Sequence, residues 1–296
     1  MPNERKLEFG LFVDPSAANL GQARQLARRA DELGLELLGV QDHPYQARFL
    51  DTWMLMATLL AETRRIRVFP DVANLPLRGP AMIAKQAASL DLLSGGRFEL
   101  GLGAGGFWDA IAAMGGPKRS PGDAFDALEE AVQIIRRFWS GERGLTFEGR
   151  HYKLQGVHAG PPPAHPIGIW IGAARPRSLN MIGRLADGWV PSLNYIPPAV
   201  VPDMNRQIDE GASQAGRDPR AIRRIYNVSG TIAETSGAGT LEGPPKKWVD
   251  ALTEFAVKLR FDTFILWPTG EPMAQLERFA QEVVPGVREA VTRAAV

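Results

Sequence analysis

A (β/α)8 barrel of the TIM type, with an insertion after its fourth strand, is the fold the sequence predicts. Three observations carry this. Short apolar runs alternate with longer helix-period segments eight times along the chain. Each strand–helix–strand step calls for parallel pairing, and eight such steps close a barrel. The length of 296 residues suits a barrel plus an insertion, and no shift in composition separates two halves. One domain over residues 1–296 is therefore expected.

The elements follow in order. Leu7–Val13 reads as the first strand, and Gly21–Leu33 as a helix that Gly34 stops as a C-cap glycine would. Glu36–Val40 is the second strand, followed by a helix over Asp51–Glu62 that Asp51 or Thr52 is placed to cap. Ile66–Val72 is the third strand, and Pro80–Leu93 a helix with proline in its first turn. Arg97–Leu102 is the fourth strand; a glycine loop runs from it to a helix over Pro121–Trp139. The alternation then pauses over about residues 141–166. There "LTF" and "HYKL" flank Glu148-Gly149-Arg150 as a hairpin, and "AGPPPAHP" must be loop. It resumes with strands at Ile167–Ile171, Gly188–Pro191, Ile222–Ile232 and Thr263–Trp267. Helices lie near Arg177–Leu185, Val200–Ala215, Pro245–Leu259 and Met273–Val283.

Composition excludes several classes. The formal net charge is +1, which supplies no basic excess for nucleic acid and no polybasic run for a membrane surface. There is no cysteine, so disulfides, thiolate metal sites and cysteine nucleophiles are ruled out. The N-terminal "MPNERKLEFG" has no apolar signal region, and no run of about 18 apolar residues occurs. A cytoplasmic, soluble protein acting on a small molecule is expected, with neither nucleic acid nor membrane as partner.

The stretch "ELGLGAGGFWD" contains a literal G-x-G-x-x-G in Gly101, Gly103 and Gly106. A dinucleotide-binding turn of that spelling follows a first strand, opens a helix and is answered by an acidic residue ending the next strand. Here it follows the fourth strand, a long loop is expected after it, and Asp123 and Asp126 fall in a helix. The reading that remains is a loop at the mouth of a barrel, where strand-following loops build active sites and glycine lets a planar ring or phosphate approach the backbone.

The strand ends hold the polar candidates. Strand two ends in "QDHPY", strand three in "PDVANLP", strand four in "GLGAGG", strand five in "GAARPRS" and strand eight in "LWPTG". His43 is the only histidine among them and can exchange a proton near neutral pH. In "GAARPRS", small residues precede Arg175, Arg177 and Ser178 at a helix start, which suits an anion. Phe107, Trp108, Trp189 and Trp267 lie near strand ends and could line an aromatic-friendly pocket. His151, His158 and His165 are spaced by seven, but they lie on a hairpin and a proline loop with no convergent partner, and no metal site is expected.

Taken together, the blocks "ADELGLELLGVQDH", "LDLLSGGRFELGLGAG", "LTFEGRHYKL", "IWIGAARPRSLNMIGRLADGWVPS" and "DTFILWP" resemble the bacterial luciferase-like flavin and deazaflavin oxidoreductases. The resemblance implies an isoalloxazine-type cofactor at the barrel mouth, either the 8-hydroxy-5-deazaflavin coenzyme F-420 or FMN. It implies that His43 lies by the reactive ring as the catalytic residue and that Asp42 contacts the ring. It implies a bulge with a cis non-proline peptide near Asp71-Val72 beneath the ring. Phosphate contacts would come from Ala174 and Arg175 and partly from Gly103, Ala104 and Gly105.

Two departures matter. Luciferase has an arginine where this chain has Ala104, and a sugar-phosphate dehydrogenase of the deazaflavin branch has a glutamate where this chain has Gly106. The first tilts the cofactor towards the deazaflavin. The resemblance thus implies hydride transfer between coenzyme F-420 and a small organic substrate. An FMN-dependent monooxygenase and a non-catalytic flavin-binding barrel are the alternatives. A homodimer is a further expectation, as is closure of the loops over residues 103–121 and 236–245 above the site.

Overall fold

The computed structural model describes residues 6–294. Eight parallel strand positions wrap into a barrel: β1 (Glu8–Val13), β2 (Leu37–Val40), β3 (Arg67–Pro70), β4 (Leu100–Gly103), β5 (Ile169–Ile171), β6 (Gly188–Trp189), β7 (Arg223–Ile232) and β8 (Thr263–Pro268). Pairing runs β3-β2-β1-β8-β7-β6-β5-β4. The seam between β3 and β4 closes through backbone bonds from Val68 to Arg97 and from Glu99 to Val68. It closes again where Ala73 and Asn74 pair with Leu102 and Gly103. The third strand is interrupted where the resemblance implied a bulge. It breaks after Pro70 and resumes at Ala73, with a cis peptide between Asp71 and Val72.

Helices cover the outside in the expected sequence: α1 (Leu20–Glu32), α2 (Thr52–Glu62), α3 (Pro80–Ser94), α4 (Pro121–Trp139), α5 (Pro176–Leu185), α6 (Val201–Gln214), α7 (Pro245–Leu259) and α8 (Pro272–Arg278). Gly34 follows α1 at φ +80°, where only glycine is unstrained. The Asp51 carboxylate caps α2 by accepting from the Trp53 and Met54 amides. Two helices differ from expectation. The closing helix does not stop near Val283 but passes through a π-turn and runs on to Ala294, burying Val284 and Val287. The glycine loop does not run uninterrupted to Pro121. A short helix, Trp108–Ala113, stands in it, pinned by the buried side chain of Ile111. The insertion is the expected hairpin, Leu145–Glu148 with Lys153–Val157, antiparallel. Among the described residues no helix is long and apolar enough to cross a membrane.

Strand alternation sorts side chains into an outer layer against the helices and an inner layer within the barrel. The inner cluster is Leu37, Phe69, Trp170, Val190, Ile225 and Ile265. Two residues below it, at the strands' N-terminal ends, lies an ion network. Arg67 pairs with Glu8 at 2.5 Å and Glu99 at 2.7 Å, and Arg223 with Glu8 at 2.5 Å and Asp262 at 3.1 Å. The charged end is plugged, so the chemistry belongs at the other end.

Candidate active site

The carboxyl ends of the strands open into two adjoining cavities of about 400 and 550 Å³. Both are lined by His43, Val72, Gly105 and Ala174, so they are lobes of one mouth. Asp42, Gly103, Ala104 and Arg175 line the first lobe, and Asp71 the second. All nine positions expected from the sequence therefore converge, although they lie far apart along the chain.

Sterics explain why the floor is built of small residues. A Cβ on Gly101 would lie 2.1 Å from the Pro70 carbonyl oxygen, and one on Gly103 would lie 2.7 Å from Val72 Cγ2. Val72 thus projects from the break in β3 between the ends of β4 and β5, where Gly172 also faces it. Gly105 takes φ +96° as the loop turns back towards Pro76 and Trp108. The result is a lining of glycine and alanine in the same lobe as His43.

His43 is half-buried, its ring stacked 5.3 Å from Tyr45 and edge-on to Phe107 at 5.5 Å. Burial holds its pKa below the usual histidine value, against the pull of the neighbouring Asp42 charge. It is therefore neutral at pH 7 and able to accept a proton. Burial and Asp42 together push the Tyr45 phenol up to about 12.

Asp42 is almost wholly buried, and both of its carboxylate oxygens are hydrogen-bonded. Arg78 donates Nε to Oδ2 at 2.8 Å and Nη2 to Oδ1 at 2.9 Å, and the Asn74 amide donates to Oδ2 at 2.9 Å. Arg78 also bonds Asp51 at 2.5 Å, tying the end of β2 to the cap of α2. Asp42 thus holds the His43 turn and the segment after the cis peptide in fixed relation.

Asp71 is buried, yet it lines the second lobe. Asn227 Nδ2 donates to its Oδ1 across the barrel at 3.2 Å and to Ser192 Oγ at 3.1 Å. Asp71 Oδ2 has no hydrogen-bonding partner. Burial pushes the carboxyl up to about 7, with the Asn227 and Trp267 side chains holding it down. Trp267 stacks on Phe12 at 3.7 Å beside it.

Arg175 is exposed at the start of α5 and forms no ion pair among the described residues. Arg177 does not join it: it pairs with Asp126 at 3.0 Å and lies over Phe125. Trp189 is not a wall either. It is fully buried, and its indole N–H holds the Ala173 carbonyl at 2.8 Å. His165 lies elsewhere, 2.7 Å from Asp91 and 3.6 Å from Glu99. Sequence reasoning missed Arg78 and the side-chain chemistry of Asp71 and Asn227. An amide in an apolar strand, in phase with inward-facing Ile225, was the one signal available for Asn227.

The profile of the luciferase-like monooxygenase family matches residues 7–239. An F420-dependent glucose-6-phosphate dehydrogenase of Intrasporangium calvum is 29% identical over 220 residues, which are 71% of this chain and 65% of that protein. An F420-dependent hydroxymycolic acid dehydrogenase of Mycobacterium tuberculosis is 30% identical over 221 residues, 72% of this chain and 59% of that protein. The match thus spans somewhat less than two thirds of either relative. A solved F420-dependent secondary alcohol dehydrogenase, in complex with an F420-acetone adduct, has the same fold. Its TM-score is 0.86 at 19% identity, with 96% of this chain and 99% of that one covered. The match over residues 7–239 exceeds half the chain, and the chain belongs to the luciferase-like monooxygenase family.

Proposed function

We propose that the chain is a deazaflavin-dependent oxidoreductase that moves a hydride between coenzyme F-420 and a small organic substrate. The observation that carries this is the convergence, at one open mouth, of His43, the Val72 bulge, the glycine lining and Arg175. Both relatives described above are named as F420-dependent. The residues suit a flat tricyclic ring: the mouth is lined by a run of glycine and alanine and by an imidazole flanked by aromatic rings.

When bound, the deazaflavin supplies a centre that accepts or donates a hydride. The protein's part is to hold and to move protons. Val72 and Gly103–Gly105 support the ring plane, while Ala174, Arg175 and the free amides at the start of α5 receive the anionic tail. Asp42 positions His43 through the Arg78 clamp. Neutral His43 stabilises the charge that develops on the substrate oxygen or the ring. Ala104 offers no cation to an FMN phosphate, so an FMN-dependent monooxygenase is the less favoured reading.

A homodimer in the cytoplasm belongs to the same proposal. The exposed Met54, Met82, Leu92 and Leu93 on α2 and α3 supply an apolar face for it, and a chain without cysteine suits a reducing compartment.

The test is spectroscopic. Oxidised coenzyme F-420 mixed with the protein and a panel of alcohols should lose its visible absorbance only when protein and a substrate are both present. Oxygen consumption with reduced FMN, and no deazaflavin turnover with any alcohol or ketone, would overturn the reading.

A further inference from the structure

The second lobe of the mouth differs from the first in charge. Among its described lining residues there is no lysine or arginine. Arg175 belongs to the first lobe only. Walls of the second lobe come from Val190, Tyr195, Ile196 and Trp267, and its inner end from Asp71 and Asn227. A phosphate or carboxylate brought here would find no cation and would face a carboxyl.

The polar end is built rather than incidental. The Asp71 side chain is more than nine-tenths buried, and its Oδ2 has no partner. Gly39 on β2 makes room for it, since a Cβ there would lie 3.1 Å from that oxygen. Asn227 fixes the other oxygen from β7, and its own Oδ1 is also unpartnered. Two acceptors, one titratable proton and the unpartnered Trp267 indole N–H thus stand together at the inner end of the lobe. An unsatisfied pair of this kind is costly unless a ligand completes it.

We infer that the second lobe takes an uncharged alcohol or ketone with an apolar body, and that Asp71, fixed by Asn227, holds its oxygen and exchanges its proton. This rests on the function proposed above. Oxidation of an alcohol to a ketone removes one hydride from carbon and one proton from oxygen. The hydride goes to the deazaflavin as oxidant, and the O–H proton goes to the Asp71 carboxylate. Reduction runs the other way, with the Asp71 carboxyl donating to the ketone oxygen. Sugar phosphates, the substrates named for one relative, do not suit this lobe.

Several groups bear on Asp71's titration. From β2 the lobe receives His43, whose pKa burial holds below the usual histidine value, and Gln41; from β7 and β8 it receives Asn227 and Trp267; after β6 come Ser192 and Tyr195. No charged side chain forms an ion pair with Asp71 among the described residues, so its own proton dominates near pH 7.

The test first measures the affinity of the protein for oxidised coenzyme F-420, so that failure of the functional reading shows by itself. With the deazaflavin bound, cyclohexanone and 4-oxocyclohexanecarboxylate are then titrated by calorimetry between pH 6 and 8.5. The ketone should bind at least tenfold tighter than the carboxylate. Its affinity should fall several-fold as pH rises through about 7, where Asp71 loses the proton it donates. With the deazaflavin bound, Asp71→Asn, whose amide donates at every pH, should show no such fall. Equal or tighter binding of the carboxylate overturns the inference. So does a pH dependence that persists in Asp71→Asn, or an absence of ketone binding by a protein that binds the deazaflavin.

Discussion

Burial against Tyr45 and Phe107 keeps His43 uncharged at neutral pH, so its ring can stabilise charge that develops beside it. His43→Ala should lower the rate of deazaflavin turnover by about 10²-fold or more, while deazaflavin affinity changes little. Stopped-flow absorbance paired with a binding titration checks the split. Asp42 acts at one remove. Its loss leaves Arg78, only 12% exposed at its side chain, with Asp51 as sole carboxylate partner. Asp42→Ala should therefore cost about 3 kcal/mol of stability by urea denaturation, because a buried cation loses its main counter-charge. His43 was legible because it is the only histidine at a strand end. Arg78 was not, since nothing in an arginine 36 residues downstream shows that a loop will fold it back onto Asp42.

At the scale of the element, the lining depends on what its glycines exclude. Gly101→Ala drives a Cβ to 2.1 Å from the Pro70 carbonyl oxygen, a backbone atom that cannot step aside. It should cost about 1–3 kcal/mol or more. Gly106→Ala meets nothing within 4 Å and should stay within about 0.5 kcal/mol of the parent. Thermal denaturation of the two variants side by side checks the contrast. Proximity in sequence therefore says little about which glycine matters. Local signals did fix many elements: proline at the start of α3, Asp51 capping α2, Gly34 ending α1. They failed where tertiary contact decides. Trp108–Ala113 is too short to be stable alone and is held by burial of Ile111. The interruption of β3 has no local signal of its own: only the resemblance pointed to the bulge and cis peptide near Asp71-Val72 that the structure shows.

At the scale of the molecule the barrel has a sealed end and an open one. The sealed end includes His165, which ties the insertion to α3 and β4 through Asp91 and Glu99. The nearby Glu99 carboxylate raises the His165 pKa, with Asp91 adding to it against burial. A group whose pKa is higher folded than unfolded contributes its stability below its unfolded value, about 6.5. That contribution is lost as pH rises through the raised folded value. The melting temperatures of wild type and His165→Gln should therefore differ most near pH 6 and approach one another at higher pH. The alternation of eight strands and helices made this polarity legible, since parallel strands place every carboxyl end at one mouth. The alternation could not show which lobe of the mouth carries charge, because that depends on which inward-facing side chains, such as Asp71 and Asn227, meet across the barrel.

The central claim is that this mouth is shaped for a deazaflavin. Parallel equilibrium titrations of the purified protein with oxidised coenzyme F-420 and with FMN, followed by ligand fluorescence, test it most directly. Micromolar or tighter binding of coenzyme F-420, at least tenfold stronger than that of FMN and weakened by Arg175→Ala, is the predicted result. Preferential binding of FMN, or saturable binding of neither, would contradict it.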